Sequence, residues 1–224
     1  MDDPAIDPQV HRDALRGLAR LNRAAGVTSR LLAPLLSLAR ERGTRTLRVM
    51  DAASGGGDNA LALVRAARRH GIALDVVGID SSSIAVELAR ERARNEIDGG
   101  RATFEVGDLL GAPWPRGFDA VVSTLFLHHL DDGRVRAFLS RCAESGAARV
   151  VIHDLERSAR GLHLARWVPR VLTRSSVVHF DAVCSVRAAL TAPELMDAAR
   201  DAGIANARVV RRFPARIELH GSAR

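Results

Sequence analysis

The residues with the clearest chemical potential in this chain are three aspartates that follow apolar segments. Asp51 and Asp80 each end such a segment, and Asp108 follows a third one after a single glycine. A serine and three glycines, 54–57, come shortly after Asp51. Glycines allow a sharp turn and a close approach of the backbone to a ligand, with the N–H groups of the next helix behind it. The pattern predicts a site in which carboxylates bind a cation or a diol.

Histidines supply the candidate general bases, because a neutral imidazole accepts a proton near neutral pH. The candidates are His129, which follows His128, then His153, which precedes an aspartate, and His179. His128 and His129 suit a structural role better than a catalytic one, and His153 suits either role equally. His179 and the nearby Asp181 are also suited to fixing their own segment in place.

Strands and helices alternate through the centre of the chain. Apolar segments of strand length are separated by segments whose apolar residues recur at helical spacing. The predicted strands are 47–51, 73–80, 102–106, 118–123 and 147–153, and the predicted helices between them are 59–70, 82–95 and 131–142. This alternation predicts a doubly wound α/β fold with a parallel sheet. Ligands bind beyond the carboxyl ends of such strands, which is where the three aspartates fall.

The N-terminal part and the segment after the fifth strand are predicted to be helical. Helical spacing over 9–23, and a second helix capped by Thr28 with Pro34 near its first turn, predict an N-terminal helical cover over 1–43. An amphipathic helix predicted over about 156–176 belongs to a lid-like helical insertion over 155–190, in which the structure of 181–190 is left open.

The C-terminal part completes the sheet. Thr191 is predicted to cap a helix over 193–202, and strands over 207–212 and 216–220 flank a short turn. These two strands predict an antiparallel hairpin. The chain, 1–224, is therefore predicted to be one domain with a mostly parallel seven-stranded sheet.

The composition excludes several kinds of chemistry. The chain has 33 arginines, no lysine and no tyrosine. A P-loop lysine, a lysine Schiff base and a dehydrogenase with a Tyr/Lys pair are therefore impossible. The net charge of +7 suggests a nucleic-acid partner, but arginines spread along the chain beside acids favour a solvated surface, so nucleic-acid binding is unlikely. The cluster of Arg208, Arg211, Arg212 and Arg216 keeps an RNA site open as the minority hypothesis.

No targeting or metal-binding pattern is present in the sequence. No apolar run approaches the roughly 20 residues needed to span a membrane. The chain begins with an acidic segment instead of an apolar one, which predicts a cytoplasmic location. Cys142 and Cys184 lie far apart without a Cys-x-x-Cys partner, so neither a disulfide nor a metal site is predicted. The oligomeric state is left open.

The glycine-rich loop fits two classes of nucleotide ligand. Gly55, Gly57 and Ala60 satisfy the spacing of the dinucleotide fingerprint, and Asp80 follows at a suitable distance. That pattern alone is equally consistent with a nicotinamide enzyme. However, Asp51 before the loop would repel a pyrophosphate and suits an ammonium group. The chain also ends in a helix and a hairpin, without a second nucleotide-binding half.

This constellation resembles the class I S-adenosylmethionine-dependent methyltransferases. The segment 49–57, Val-Met-Asp-Ala-Ala-Ser-Gly-Gly-Gly, is similar to the family's strand–loop signature, with Ala53 in the place of its first glycine. This replacement is compatible with the signature if residue 53 does not need a positive φ. The likeness covers about 47–153 and, more weakly, the C-terminal hairpin. It implies a Rossmann-like domain with S-adenosylmethionine as its cofactor.

The resemblance also implies roles for individual residues. The loop after the first strand would hold the methionine end of the cofactor, the second strand its ribose, and the third strand its adenine. The implied cofactor-binding residues are Asp51, Ala53, Ser54, Gly55, Gly57, Asp80, Ser81, Asp108, Leu109 and Thr124.

The methyl acceptor is predicted to be a small molecule. Leu-His-His-Leu, 127–130, resembles the same segment of small-molecule methyltransferases, notably those of quinone biosynthesis. The motifs of amino-methylating DNA enzymes, cytosine-C5 enzymes and protein arginine methyltransferases are missing. The predicted activity is methyl transfer to an oxygen or carbon of an aromatic or quinone-like acceptor. Three alternatives stay open: RNA methylation, a non-catalytic module that binds S-adenosylmethionine, and an NAD-linked reductase.

Overall fold

The computed structural model describes residues 26–94, 101–111, 113–172 and 176–224. The predicted N-terminal helix over 9–23 lies outside these residues. In chain order the elements are α1 (Val27–Glu41), β1 (Thr46–Ala52), α2 (Asp58–Arg68), β2 (Ala73–Asp80), α3 (Ser83–Arg94), β3 (Arg101–Val106), β4 (Ala120–Thr124), a 3₁₀ turn (Leu127–His129), α4 (Asp132–Glu144), β5 (Arg149–Leu155), α5 (Ala159–Leu172), α6 (Ser176–Ala188), α7 (Ala192–Asp201), β6 (Ala205–Arg212) and β7 (Arg216–Ser222).

The strands form one sheet in the order β3-β2-β1-β4-β5-β7-β6. Strands β1 to β5 run parallel to their neighbours, and β7 is antiparallel to both β5 and β6. Parallel neighbours need crossover connections, which the helices provide. The predicted doubly wound α/β fold, with seven mostly parallel strands and an antiparallel C-terminal hairpin, is confirmed.

Helices cover both faces of the sheet, because successive side chains of a strand point to opposite faces. Helices α1, α2 and α3 pack on the face that includes Val49, Val122 and Val151. Helices α4 and α7 pack on the face that includes Met50 and Ile152. Burial on both faces explains why the central strands are continuous apolar runs in the sequence.

The predicted start of α1 needs correction. The helix begins at Val27 after Gly26, whose φ of 66° places it in the left-handed region, and no side chain caps it. Thr28, predicted as the cap, lies inside the first turn. Pro34, predicted near the first turn, lies in the middle of the helix. Its missing N–H leaves the carbonyl of Arg30 without a helical hydrogen bond.

The predicted insertion over 155–190 contains two helices that pack against each other, α5 and α6. Helix α6 also packs against the 3₁₀ turn after β4. A lid function for this pair is still a prediction. Within the described residues, no helix combines the length and apolar character required to cross a membrane.

The cap of α7 is as predicted. The side chain of Thr191 accepts a hydrogen bond from the Glu194 N–H, and the Glu194 carboxylate accepts one from the Thr191 N–H at 2.8 Å. This reciprocal pair satisfies two N–H groups that a helix end leaves without partners.

We expect Gly57→Ala to lower the free energy of unfolding by about 3 kcal/mol, because a clash adds to the cost of a positive φ. Gly57 has a φ of 74°, and a Cβ there would lie 2.7 Å from Phe104 and 2.9 Å from Ala89. Gly71 is the matched control, because its φ is 72° and a Cβ there would meet nothing within 4 Å. Gly71→Ala should cost only about 1 kcal/mol. Equal losses in urea denaturation would contradict this account of the packing around Gly57.

Candidate functional site

The carboxyl ends of β1, β2 and β4 meet at one edge of the sheet. Asp51 is the second-last residue of β1, Asp80 ends β2 and Thr124 ends β4. Because the three strands are parallel neighbours, these predicted site residues come to the same edge from distant parts of the chain.

The loop after β1 is fixed by hydrogen bonds to the end of β2. The N–H groups of Ala53 and Ser54 both donate to the carbonyl of Ile79, at 2.9 and 3.1 Å. The N–H of Gly55 donates to the carboxylate of Asp80 at 2.7 Å. Asp80 therefore shapes the loop as well as facing the site.

Two further side-chain contacts stabilise the loop and its surroundings, and no local pattern predicts either of them. Arg92 of α3 donates to the carbonyl of Gly56 at 2.7 Å. The side-chain amide of Asn59, in the first turn of α2, donates to the hydroxyl of Thr124 at 2.8 Å. These contacts join residues more than thirty positions apart, so only the fold reveals them.

Ala53 adopts the left-handed conformation, with a φ of 62°. The condition under which this replacement would be compatible with the signature, that residue 53 does not need a positive φ, is therefore not met. The loop makes its two hydrogen bonds to Ile79 in this left-handed conformation. A residue with a Cβ in this conformation lowers the stability of the fold by about 1 to 2 kcal/mol. The loop keeps the shape of a glycine-containing turn in spite of the substitution.

Asp51 is buried without a hydrogen-bond donor. It is 1% exposed, and neither carboxylate oxygen has a partner. Burial, together with charge repulsion from Asp58 and Asp80, raises the pKa of Asp51 to about 8. A buried carboxylate without a donor is costly, and an ammonium group is the partner that satisfies it. The site thus fits a ligand with an ammonium group, as in the methionine end of S-adenosylmethionine.

The end of β2 offers acceptors for a diol. The two carboxylate oxygens of Asp80 accept hydrogen bonds from the N–H groups of Gly55, at 2.7 Å, and Ser82, at 2.9 Å. Each oxygen keeps a further lone pair for a ligand hydroxyl. Ser81 lies beside this carboxylate and is exposed.

The residues after β3 form a turn at the same edge. The exposed Asp108 accepts a hydrogen bond from the Leu110 N–H at 2.8 Å, and Leu109 is buried. The N–H groups of Leu110 and Gly111 hold the pKa of Asp108 below its usual value. The cofactor contacts predicted for Asp108 and Leu109 stay predictions.

A buried histidine–aspartate pair follows β4. His128 Nδ1 and Asp154 Oδ1 are 2.6 Å apart, with side chains 6% and 3% exposed. The other Asp154 oxygen accepts from the Leu127 N–H at 2.7 Å. Burial alone would raise the pKa of Asp154, but His128 and the N–H groups of Leu155 and Leu127 hold it below its usual value. Asp154 is thus a carboxylate that engages Nδ1 of His128, which leaves Nε2 as the atom that can take up a proton.

The predicted catalytic residue His129 is next to His128, and His179 lies on a helix that packs against the same turn. His129 is exposed, and its ring centroid is 4.2 Å from that of His128. His179 belongs to α6, the helix that packs against the turn containing both histidines. The histidine that the buried Asp154 orients is therefore His128. Catalytic roles for His129 and His179 stay predictions.

His153 lies on the other face of β5. It is fully buried, and its Nδ1 is 3.2 Å from the carboxylate of Glu218 on β7. The same carboxylate accepts from Arg212 at 2.7 Å and lies 3.2 Å from His220. Burial lowers the pKa of His153 more than Glu218 raises it. These contacts favour the structural alternative for His153, and its predicted catalytic role has no further support.

Comparison with protein families identifies one domain. Residues 49–149 match the family model described as a methyltransferase domain. A search of curated protein sequences finds no match.

Three solved structures illustrate the likeness of the fold. NcsB1, an O-methyltransferase from neocarzinostatin biosynthesis solved with S-adenosylmethionine and 2-hydroxy-5-methyl naphthoic acid, is 19% identical with a TM-score of 0.68, over 97% of this chain and 59% of its own. Human N-acetylserotonin methyltransferase, solved with S-adenosylmethionine, is 12% identical with a TM-score of 0.68, over 97% of this chain and 56% of its own. Magnesium protoporphyrin IX methyltransferase of Synechocystis PCC 6803, with bound S-adenosylhomocysteine, is 20% identical with a TM-score of 0.61, over 90% and 83%.

The chain is shorter than most of these proteins. It spans little more than half the length of the first two. The likeness therefore concerns the fold of the domain that they share.

We expect Asp51→Asn to raise the Kd of S-adenosylhomocysteine about 100-fold, because a hydrogen bond to a charged group contributes about 1.5 to 3 kcal/mol. Asp75→Asn is the control, since Asp75 is half-exposed in β2 and should leave the affinity unchanged. At pH 7 the wild type should also release most of one proton on binding, because a pKa of about 8 leaves Asp51 largely protonated until an ammonium group pairs with it. Calorimetry in buffers of different ionisation enthalpy measures this release. Equal release by Asp51→Asn would refute the assignment.

We expect Ala53→Gly to raise the free energy of unfolding by about 1 kcal/mol, because glycine carries no Cβ into the left-handed turn. Ala137→Gly is the control, since Ala137 is exposed on α4 and the same change in a helix should cost about 1 kcal/mol. Urea denaturation measures both. A loss of stability in Ala53→Gly would show that the turn does not strain the alanine.

Proposed function

We propose that this chain, which carries a class I S-adenosylmethionine-dependent methyltransferase domain over residues 49–149, transfers a methyl group to a hydroxyl oxygen of a small aromatic acceptor. The observation that carries the proposal is the buried pair of His128 and Asp154 beside the predicted cofactor edge. Support for a small acceptor comes from NcsB1, whose structure contains a hydroxylated naphthoic acid.

The residues of the sheet edge fit the cofactor. Asp51 would bind its ammonium group, and Asp80 would accept hydrogen bonds from its ribose hydroxyls. The loop between them brings backbone close to the ligand. When bound, S-adenosylmethionine supplies an electrophilic methyl group on a positively charged sulfur.

His128 supplies what a hydroxyl acceptor needs. A phenol has a pKa of about 10, so its oxygen is a poor nucleophile at neutral pH until its proton is taken up. Nε2 of His128 would accept that proton as the oxygen forms its bond to the methyl group. Asp154, held as a carboxylate, would stabilise the imidazolium that results and keep Nδ1 as a donor. The sequence also allowed methyl transfer to a carbon atom. Transfer to an activated carbon would depend less on this pair.

Apolar surface beside the turn suits an aromatic ring. Phe126 precedes the turn and packs edge-to-face on Phe138, with ring centroids 5.1 Å apart. Trp114 packs on the same ring at 5.5 Å, and its indole N–H donates to the carbonyl of Leu109 at 2.9 Å. Aromatic side chains held in this way form a rigid wall from the adenine end of the predicted cofactor site to the turn.

The alternative of RNA methylation has weaker support. Two of the four arginines in the C-terminal cluster are engaged with acids, since Arg211 pairs with Glu156 and Arg212 with Glu218. These pairs reduce the positive charge that RNA phosphates would contact. A non-catalytic binding module would have no use for a buried, oriented histidine.

We expect His128→Gln to lower kcat by about 100-fold to 10,000-fold, the usual contribution of a general base. Asp154→Asn should lower kcat as well, because the amide cannot stabilise an imidazolium. Methyl transfer from labelled S-adenosylmethionine to a panel of hydroxynaphthalenes and hydroxynaphthoic acids measures both variants. Binding of S-adenosylhomocysteine should be unchanged in each, which separates loss of the base from loss of the fold.

His129→Gln is the matched control, because the neighbouring His129 is exposed, whereas His128 is buried against Asp154. It should keep kcat within a few-fold of the wild type. A collapse of kcat in His129→Gln with little change in His128→Gln would exchange the two roles and contradict the proposal.

A further inference from the structure

A groove of about 890 Å³ lies between α5 and α6. Ligand pockets for small molecules have volumes of about 300 to 1,000 Å³, so the groove is large enough for an aromatic molecule of two or three rings. Its lining has two distinct parts, one aromatic and one cationic.

The aromatic part consists of Trp167 on α5 and Phe180 on α6. Trp167 is 55% exposed and Phe180 is 75% exposed, although both are large apolar side chains. The guanidinium of Arg170 lies 5.7 Å from the centre of the Trp167 ring and holds it by a cation–π contact. Two exposed aromatic surfaces on facing helices are suited to stack on a planar ligand.

The cationic part consists of Arg166, Arg170 and Arg187, and none of the described residues that line the groove is acidic. Many arginines elsewhere in the described chain are paired with acids, such as Arg157 with Glu194. Within the described part of the chain, none of the three groove arginines forms an ion pair with a carboxylate. The groove therefore collects positive charge that its own surroundings do not neutralise.

The groove and the predicted catalytic turn both adjoin helix α6. His179 lines the groove on α6, and α6 is the helix that packs against the 3₁₀ turn containing His128. A molecule in the groove that extends past His179 would approach this turn. The cationic lining is thus placed to bind one end of an acceptor while its other end reaches His128.

We propose that the groove binds the acceptor through an anionic group, so that the acceptor is a planar aromatic acid with a hydroxyl as its reacting group. That the bound molecule is the methyl acceptor rests on the proposed function. That the groove binds an aromatic anion does not depend on the proposed function. Guanidinium groups bind carboxylates by paired hydrogen bonds, and Trp167 and Phe180 would hold the ring. A second copy of the chain would bring another set of unpaired arginines against these, so repulsion disfavours it as the occupant.

Two fluorescent probes that differ by one carboxylate test the proposal, namely 6-hydroxy-2-naphthoate, whose hydroxyl and carboxylate lie at opposite ends of the ring system, and 2-naphthol. Their Kd values are measured by fluorescence titration with the full chain. If the chain binds S-adenosylhomocysteine, that ligand is present at a saturating concentration. The wild type should bind the naphthoate at least about 10-fold more tightly than the naphthol, because the carboxylate gains charge-assisted hydrogen bonds. Raising the salt concentration to about 0.5 M should narrow this difference.

Three variants locate the site. Arg166→Gln combined with Arg187→Gln should abolish the preference for the naphthoate and leave the naphthol affinity unchanged. Arg69→Gln combined with Arg136→Gln is the control of equal charge change, because Arg69 is exposed just after α2 and Arg136 is exposed on α4. This control should keep the preference. Trp167→Ala should weaken the binding of both probes.

The outcomes separate this inference from the proposed function. Equal affinity for the two probes, no binding of either, or an unchanged preference in the groove variant would overturn the inference. Absence of S-adenosylhomocysteine binding, with the naphthoate preference intact, would reject methyl transfer and leave the anion site standing. Methylation of 2-naphthol and the naphthoate at equal kcat/KM would keep the proposed function and overturn the inference.

Discussion

The buried carboxylate of Asp51 is the constraint on which the site depends. Burial in β1 leaves both of its oxygens without a donor, and Asp58 and Asp80 add negative potential around it. Such a carboxylate becomes stable as an anion only when a cation pairs with it. The loop after β1 is bent back on β2 by hydrogen bonds to Ile79 and to Asp80. Ligand binding and ionisation of Asp51 are therefore two parts of one equilibrium.

The register of β5 decides which residues take part in the chemistry. Neighbouring side chains of a strand point to opposite faces, so consecutive residues of β5 serve different purposes. His153 pairs with Glu218 on the next strand, whereas Asp154 reaches the 3₁₀ turn and His128. A shift of the pairing by one residue would exchange the two faces and separate His128 from its carboxylate. Packing of the sheet thus holds the predicted base more firmly than any local contact.

Local patterns in the sequence were sufficient for much of the fold and for part of the site. β2 has the predicted bounds, and Thr191 caps α7, because strand alternation and capping are local properties. Helix α6 was not predicted over 181–190, since its apolar residues do not cluster on one face and its stability comes from packing on α5. The strain at Ala53 was missed because its φ is imposed by bonds to β2. The role of His128 was hidden for the same reason, since its partner lies 26 residues away.

The distribution of charge around the site suggests how the proposed cofactor and the proposed acceptor are directed to different parts of it. Asp51 supplies negative charge at the end of β1, and the groove arginines supply positive charge on α5 and α6. When a methyl group passes from the positively charged sulfur to an ionised oxygen, both charges disappear. Arginines beside that oxygen would therefore stabilise the charged reactants more than the transition state. Arginines on α5 and α6 lie away from the turn. They do not stabilise the reactants over the transition state if they bind a group whose charge stays constant during the reaction. A carboxylate distant from the reacting hydroxyl meets this condition, and proton transfer is then left to His128.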